Sequence, residues 1–294
     1  MEIIVGKTAG FCYGVKRAVD GAKEETSKSE KVYCLWEIVH NKQVIEELES
    51  DGITFINNIE EAKGKTIIRA HGVETNIYER AKKLNIKLID HTCPNVLKIH
   101  KIADEYSKNG YYIFLCGSIQ HPENIGTTSH CGKNYYVIEN ENDAFKAIEN
   151  YKKTKIKKIL LISQTTYSLE KFYIIEEIIK NELEKNVEIV IKNTICKATE
   201  LRQKETDEIS KKVDYMIIIG GINSSNTKKL FDIAKNNCNN SICIETAKEL
   251  NLQEIIKYKK IGIMAGASTP KKSIEKVILT LKEDNSRGLL VNVG

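Results

Sequence analysis

Short apolar runs recur along the chain and alternate with segments whose apolar residues fall at helical spacing. Segments such as NKQVIEELES and LEKFYIIEEIIKNELE place apolar residues three and four positions apart, as amphipathic helices do. The alternation predicts an α/β fold with mostly parallel sheets. After an opening run IIVG, the predicted strands are KVYCLW, TIIRA, KLID, YYIFLC, YYVI, KILLIS, VEIVI, YMIII, SICIE and KIGIMA.

The layout of strands and helices repeats three times along the chain. The repeats run over about residues 14–96, 97–193 and 194–283, and we expect each to form a similar α/β domain. Residues 284–294 would then form a C-terminal tail.

Each repeat edge carries a cysteine in a loop between a predicted strand and a predicted helix. These are Cys12 in GFCYG, Cys93 in DHTCPNV and Cys196 in NTICKAT. Ligands of parallel sheets gather at the carboxyl ends of strands, so three such units facing inward would bring the cysteines to one centre. The other five cysteines lie in apolar strands or irregular segments, and we expect them to be structural. They are Cys34, Cys116, Cys131, Cys238 and Cys243.

Composition and charge narrow the class of protein. Lys and Arg exceed Asp and Glu, giving a formal net charge of +5, but the basic residues are interspersed with acidic ones. This favours an anionic substrate slightly and gives no support to a nucleic-acid partner. No apolar run approaches the roughly 20 residues that span a bilayer, and no leader segment follows Met1. We therefore expect a cytoplasmic protein that binds no membrane, with its eight cysteines reduced.

The spacing of the three loop cysteines excludes a zinc ribbon, whose ligands come as close CxxC pairs. A catalytic zinc and an iron–sulfur cluster both remain possible. Thiolate-only ligation favours the cluster, which usually takes four cysteines, so that a missing fourth ligand leaves one iron open.

Several polar loops point to a phosphorylated ligand. VHNK, RAHGV and QHPENIGT each place a histidine just past a strand, in positions that we interpret as equivalent. GGINSSNTKKL and AGASTPKKS supply small polar residues at predicted helix starts, where backbone N–H groups and hydroxyls can bind phosphate oxygens. The glycine spacing fits neither the Walker loop nor the dinucleotide fingerprint, so we expect a small diphosphate.

A set of ordered motifs resembles the family of 4-hydroxy-3-methylbut-2-enyl diphosphate reductases over residues 1 to about 283. The motifs are GFCYGVKRAV, HNKQVIEEL, RAHGV, DHTCPNV, HPENIGT, SQTTYS, NTICKATELRQ, NSSN and AGASTP. The resemblance implies a three-domain trefoil around a [4Fe–4S] cluster held by Cys12, Cys93 and Cys196. It also implies that residues 1–13 complete the sheet of the third domain.

The resemblance further implies a reaction. The open iron binds the hydroxyl of the substrate, and reduced ferredoxin or flavodoxin supplies electrons. Two electrons and two protons then expel water and give isopentenyl and dimethylallyl diphosphates, as the last step of the methylerythritol phosphate pathway to isoprenoids.

The same resemblance assigns roles to individual residues. Glu123 corresponds to the proton donor, with Thr165 as its hydrogen-bonding neighbour and His121 beside them. The implied substrate-binding residues are His40, His71, His121, Gln164, Thr165, Thr166, Ser224, Ser225, Asn226 and Ser268. His91 and Asn124 depart from the family pattern, and His91 lies close enough to Cys93 to perturb the cluster. Some relatives carry further domains, but this chain ends at GLLVNVG, so we expect no fusion.

Two other classes of protein are compatible with the residues alone. A sensor could bind a small phosphorylated ligand and use the cluster only structurally, and it would need no acid in the site. A zinc-dependent hydrolase acting on a phosphorylated substrate would use Glu123 as a general base.

Overall fold

The computed structural model describes residues 1–27 and 31–291, with side chains described as far as residue 283. The described strands form three four-stranded sheets in which every pairing is parallel. The helices are α1 Tyr13–Thr26, α2 Lys42–Ser50, α3 Thr75–Lys83, α4 Pro94–Lys108, α5 Pro122–Thr128, α6 Glu141–Lys152, α7 Leu169–Glu182, α8 Lys197–Ser210, α9 Ser225–Asn237, α10 Leu252–Ile255 and α11 Lys271–Val291. The predicted α/β class is confirmed.

The chain forms two compact units. The first contains Met1–Val15, His40–Val44 and the chain from Lys197 onward. Its sheet has the order β1-β12-β10-β11. The strands are β1 Glu2–Val5, β10 Tyr215–Ile219, β11 Ser241–Ile244 and β12 Lys260–Ala265.

The second unit contains Lys16–Val39 and Ile45–Cys196 and holds two sheets. One has the order β3-β2-β4-β5 and the other β7-β6-β8-β9. Their strands are β2 Val32–Leu35, β3 Ile53–Ile56, β4 Lys65–Ile68, β5 Leu88–Asp90, β6 Tyr112–Cys116, β7 Tyr135–Ile138, β8 Lys158–Ser163 and β9 Glu188–Ile191.

The strand order is equivalent in all three sheets. In each sheet the strand before a loop cysteine lies at one edge, and these edge strands are β1, β5 and β9. Their neighbours are β12, β4 and β8, and the next strands inward are β10, β2 and β6. The N-terminal strand β1 therefore takes the place in its sheet that β5 and β9 take in theirs. The three domain boundaries themselves stay a prediction.

Alternate residues of the central strands pack into different parts of the core. Along β8, Ile159 and Leu161 belong to one apolar cluster, whereas Leu160 and Ile162 belong to another. A strand with apolar residues on both faces reads as a continuous apolar run, as KILLIS does, because helices cover both sides of the sheet.

Strand β3, with the sequence ITFI, was not among the predicted strands. Residues 284–291 of the predicted tail continue α11, and residues 292–294 lie outside the described part of the chain. Within residues 1–27 and 31–291, no helix has both the length and the apolar character needed to cross a membrane.

Candidate active site

The three loop cysteines are tied to their sheets by the same backbone hydrogen bond. In each case the cysteine N–H donates to the carbonyl oxygen of the second residue past the neighbouring strand. The pairs are Cys12 with Ala267 (3.1 Å), Cys93 with Ala70 (3.0 Å) and Cys196 with Thr165 (2.9 Å). A helix begins directly after each cysteine, and the positive end of a helix favours the thiolate over the thiol.

Four of the other five cysteines lie in environments that disfavour a thiolate. Burial raises the pKa of Cys34 and of Cys131 to about 12, and that of Cys243 to about 11. Burial also raises the pKa of Cys116 far above its ordinary value. Cys12, Cys93 and Cys196 are partly exposed, as is Cys243. Since a metal ligand must be deprotonated, the four cysteines with raised pKa values are poor ligands.

Polar groups donate hydrogen bonds to two of the loop sulfurs. The backbone N–H of Val15 donates to Cys12 Sγ (3.5 Å), and the side-chain amide of Asn95 donates to Cys196 Sγ (3.1 Å). Donors of this kind stabilise negative charge on sulfur. The chemistry of the three residues therefore fits an iron–sulfur cluster.

Helix α8 holds the loop that carries Cys12. Arg202 is buried and donates from Nη2 to the carbonyl oxygen of Gly10 (2.7 Å). The carboxylate of Glu205 accepts the backbone N–H groups of Lys7 (2.7 Å) and Thr8 (2.8 Å). Sequence reasoning missed this support, although Arg202 lies within the NTICKATELRQ motif.

Glu123 is a buried carboxylic acid with fixed partners. Its side chain is 2% exposed, and both of its oxygens bind Thr165: Oε1 accepts the backbone N–H and Oε2 accepts the hydroxyl, each at 2.6 Å. Burial raises the pKa of Glu123 to about 7, although the two hydrogen bonds from Thr165 act in the opposite direction. A substantial fraction of this acid is therefore protonated near neutral pH.

His121 directly precedes helix α5, and a hydrogen bond to the start of that helix orients its ring. Its Nδ1 accepts the backbone N–H of Glu123 (3.2 Å), so the proton of the neutral ring lies on Nε2. The cap of α5 is thus His121, and Glu123 is left to bind Thr165. The ring of His71 meets that of His121 edge-on, with centroids 5.5 Å apart.

Gln164 lies in a chain of side-chain amides and hydroxyls at the end of β8. It accepts a hydrogen bond from the Asn124 amide (3.0 Å) and donates one to the Thr166 hydroxyl (2.7 Å). Asn124 therefore fixes Gln164, a predicted substrate-binding residue. His91 packs its ring against Gly21 of α1, where an added Cβ would lie 2.4 Å from the ring.

The first unit gathers the remaining predicted residues around the start of α9. The hydroxyl of Ser268 donates to the carbonyl oxygen of His40 (3.2 Å). That same carbonyl would lie 2.5 Å from a Cβ at Gly221, so only glycine permits the close approach. Ser224 caps α9 by accepting the N–H of Thr227 (3.3 Å). Ser225 is the first residue of the helix.

Asn226 has a buried amide without a partner. The residue is 4% exposed, and neither its Oδ1 nor its Nδ2 has a hydrogen-bond partner among the described residues. An unsatisfied buried amide costs about 1–3 kcal/mol. A ligand that both accepts and donates hydrogen bonds at the start of α9 would remove this cost.

Two sets of residues occupy repeated positions. The first set contains the fifth residue past β2, β6 and β10, which is His40, His121 and Ser224 respectively. The second set contains the third residue past β4, β8 and β12, which is His71, Thr166 and Ser268 respectively. The expectation that all three histidines are equivalent is therefore wrong, because His71 belongs to the second set. These features define a class: an α/β protein with cysteines past the ends of its strands, a buried acid and a set of groups suited to phosphate.

The chain belongs to the LytB protein family, whose model matches residues 3–282. A relative from Thermoanaerobacter sp. (strain X514) is 41% identical over 288 residues, which cover 96% of this chain and 97% of the relative. A relative from Clostridioides difficile (strain 630) is 40% identical over 285 residues, covering 96% and 99%. Both are named 4-hydroxy-3-methylbut-2-enyl diphosphate reductase.

Two solved structures agree with this assignment. The E-1-hydroxy-2-methyl-but-2-enyl-4-diphosphate reductase from Plasmodium falciparum has a TM-score of 0.87 and 31% identity, covering 96% of this chain and 88% of that one. A structure of (E)-4-hydroxy-3-methyl-but-2-enyl diphosphate reductase, the terminal enzyme of the non-mevalonate pathway, has a TM-score of 0.69 and 38% identity, covering 96% and 100%. The family resemblance seen in the motifs is confirmed.

We expect Glu123→Gln to change how stability depends on pH. Because the fold raises the pKa of Glu123, the stability that the protonated acid provides is present below pH 4.5 and is lost as the pH rises through about 7. Wild type should lose up to about 3 kcal/mol of unfolding free energy relative to the variant between about pH 5 and 8. Urea unfolding at a series of pH values measures the difference.

Glu60→Gln is the control, since Glu60 is exposed and its hydrogen bond with Arg80 lowers its pKa. That variant should not reproduce the curve of Glu123→Gln. Parallel pH curves for wild type and Glu123→Gln would show that Glu123 has an ordinary pKa.

Proposed function

We propose that the chain catalyses the reductive dehydroxylation of 4-hydroxy-3-methylbut-2-enyl diphosphate to isopentenyl and dimethylallyl diphosphates, as the last step of the methylerythritol phosphate pathway. One observation carries the proposal. Thr165 binds the carboxyl group of Glu123 with its N–H and hydroxyl, and it binds the N–H of Cys196 with its carbonyl oxygen. A single residue thus links a buried acid to a candidate metal ligand, which suits a reaction that consumes both protons and electrons.

We assign Cys12, Cys93 and Cys196 as the ligands of a [4Fe–4S] cluster. Their partial exposure, their places before helices and the donors to sulfur support the assignment. When bound, the cluster supplies electrons and one iron without a protein ligand.

Protons are the contribution of the polypeptide. Replacement of the hydroxyl by hydrogen consumes two electrons and two protons and releases one water. Glu123 donates a proton because it is protonated in part near pH 7, and Thr165 holds its carboxyl group in one orientation. His121 neighbours the acid and carries its proton on Nε2.

The diphosphate is bound by neutral and basic donors. In the first unit, one group of donors lies at the start of α9 and contains Ser224, Ser225 and Asn226. A second group contains His40 and Ser268, which are joined by a hydrogen bond. The helix start adds N–H groups and a positive partial charge. In the second unit, the residues assigned to substrate binding are His71, His121, Gln164, Thr165 and Thr166.

Electrons come from a separate protein. We assign a reduced ferredoxin or flavodoxin as the donor and the cytoplasm as the compartment. The positions of the acid and of the diphosphate loops do not decide which protein donates the electrons or in which compartment the chain lies.

Replacing Cys196 with serine should abolish turnover and remove most of the iron, because a serine hydroxyl is a poor substitute for a thiolate ligand. Cys34→Ser is the matched control, since the buried thiol of Cys34 has a pKa of about 12 and is no ligand. Iron and sulfide analysis after anaerobic purification measures the effect. A full, active cluster in Cys196→Ser would refute the ligand assignment.

Asn226→Ala should weaken substrate binding about tenfold or more, since it removes a hydrogen bond to a charged ligand worth roughly 1.5–3 kcal/mol. The visible spectrum of the cluster should not change. Asn223→Ala is the control, because Asn223 is exposed in the same loop. Calorimetric titration with substrate measures the affinity, and loss of iron from Asn226→Ala would instead place this residue among the cluster ligands.

Glu123→Gln should lower turnover about 10²-fold or more while it retains the cluster and binds substrate, because the variant keeps the shape and loses the acid. The assay uses a chemical reductant, so that docking of the electron donor does not limit the rate. Turnover close to that of wild type would leave Glu123 a purely structural partner of Thr165.

A further inference from the structure

The side-chain amide of Asn95 lies against the sulfur of Cys196. Its Nδ2 is 3.1 Å from Cys196 Sγ, and the residue is exposed. Asn95 is the second residue of α4, the helix that begins directly after Cys93. The helix that follows one loop cysteine therefore donates a hydrogen bond to the sulfur of another.

This contact is specific to one of the three repeats. The residues two positions past the loop cysteines are Gly14, Asn95 and Ala198. Neither glycine nor alanine has a side-chain donor, so only the repeat that contains Cys93 can form this bond.

A hydrogen bond to sulfur changes the energy of electron transfer. Reduction adds negative charge to a cluster and its thiolates, and an N–H donor stabilises the reduced form more than the oxidised form because it interacts with charge on the acceptor. Hydrogen bonds to the sulfurs are among the factors that set the reduction potential of iron–sulfur clusters.

We propose that Asn95 is a positioning residue for electron transfer, which raises the reduction potential of the cluster through its hydrogen bond to Cys196. The inference rests on the proposed function, because it requires the cluster. The inference assigns a role to Asn95, which is hydrogen-bonded to Cys196 and belongs neither to the acid nor to the diphosphate loops.

The test compares the reduction potential of wild type with that of Asn95→Leu, which keeps the size of the side chain and removes the donor. Asn109→Leu is the matched control, because Asn109 is also exposed and lies at the other end of α4, roughly 20 Å away. Potentiometry followed by electron paramagnetic resonance measures the potential. Pulsed resonance on protein labelled with ¹⁵N-asparagine detects the amide nitrogen coupled to the reduced cluster.

We expect Asn95→Leu to shift the one-electron reduction equilibrium about tenfold towards the oxidised form, which corresponds to about 59 mV. The coupling to ¹⁵N should disappear, and Asn109→Leu should behave as wild type. Asn95→Asp, which adds negative charge in the same shape, should lower the potential further. A potential in both Asn95 variants equal to that of wild type would overturn the inference, whereas a wild-type protein that holds no cluster would overturn the proposed function itself.

Discussion

The site depends on the hydrogen bonds of one residue at the end of β8. The N–H and hydroxyl of Thr165 satisfy both oxygens of Glu123, and its carbonyl oxygen holds the backbone of Cys196. A buried carboxyl group without such partners would be costly. Because all three bonds involve Thr165, the acid and the cysteine are fixed in one arrangement, and a shift of this loop would move both.

The repeated strand order explains how one scaffold supplies different chemistry. The seventh residues past β2, β6 and β10 are Lys42, Glu123 and Asn226, so a cation, an acid and an amide occupy the same place in three loops. The cysteine tether is instead the same in every repeat. The backbone thus repeats the same positions in each sheet, and the side chains at these positions differ in chemistry.

The strands could be predicted because helices cover both faces of each sheet and leave continuous apolar runs such as KILLIS. The edge strand β3 was missed, although edge strands of the same length were predicted. The sequence correctly predicted that Cys12, Cys93 and Cys196 lie directly before helices, and their role as ligands stays a prediction. The supporting contacts of Asn95, Arg202 and Glu205 were not predicted. Arg202 and Glu205 contact the loop before Cys12, and Asn95 contacts Cys196, so each contact joins residues about 100 or more positions apart in the sequence.

The most direct measurement of the central claim is the product formed by anaerobically purified protein, loaded with iron and sulfide in one sample and with zinc in another. Each sample receives 4-hydroxy-3-methylbut-2-enyl diphosphate and a chemical reductant, and mass spectrometry identifies the products. The account predicts isopentenyl and dimethylallyl diphosphates from the iron–sulfur sample alone, with one water released for every two electrons. Phosphate release by the zinc sample, or binding without turnover by the iron–sulfur sample, would contradict it.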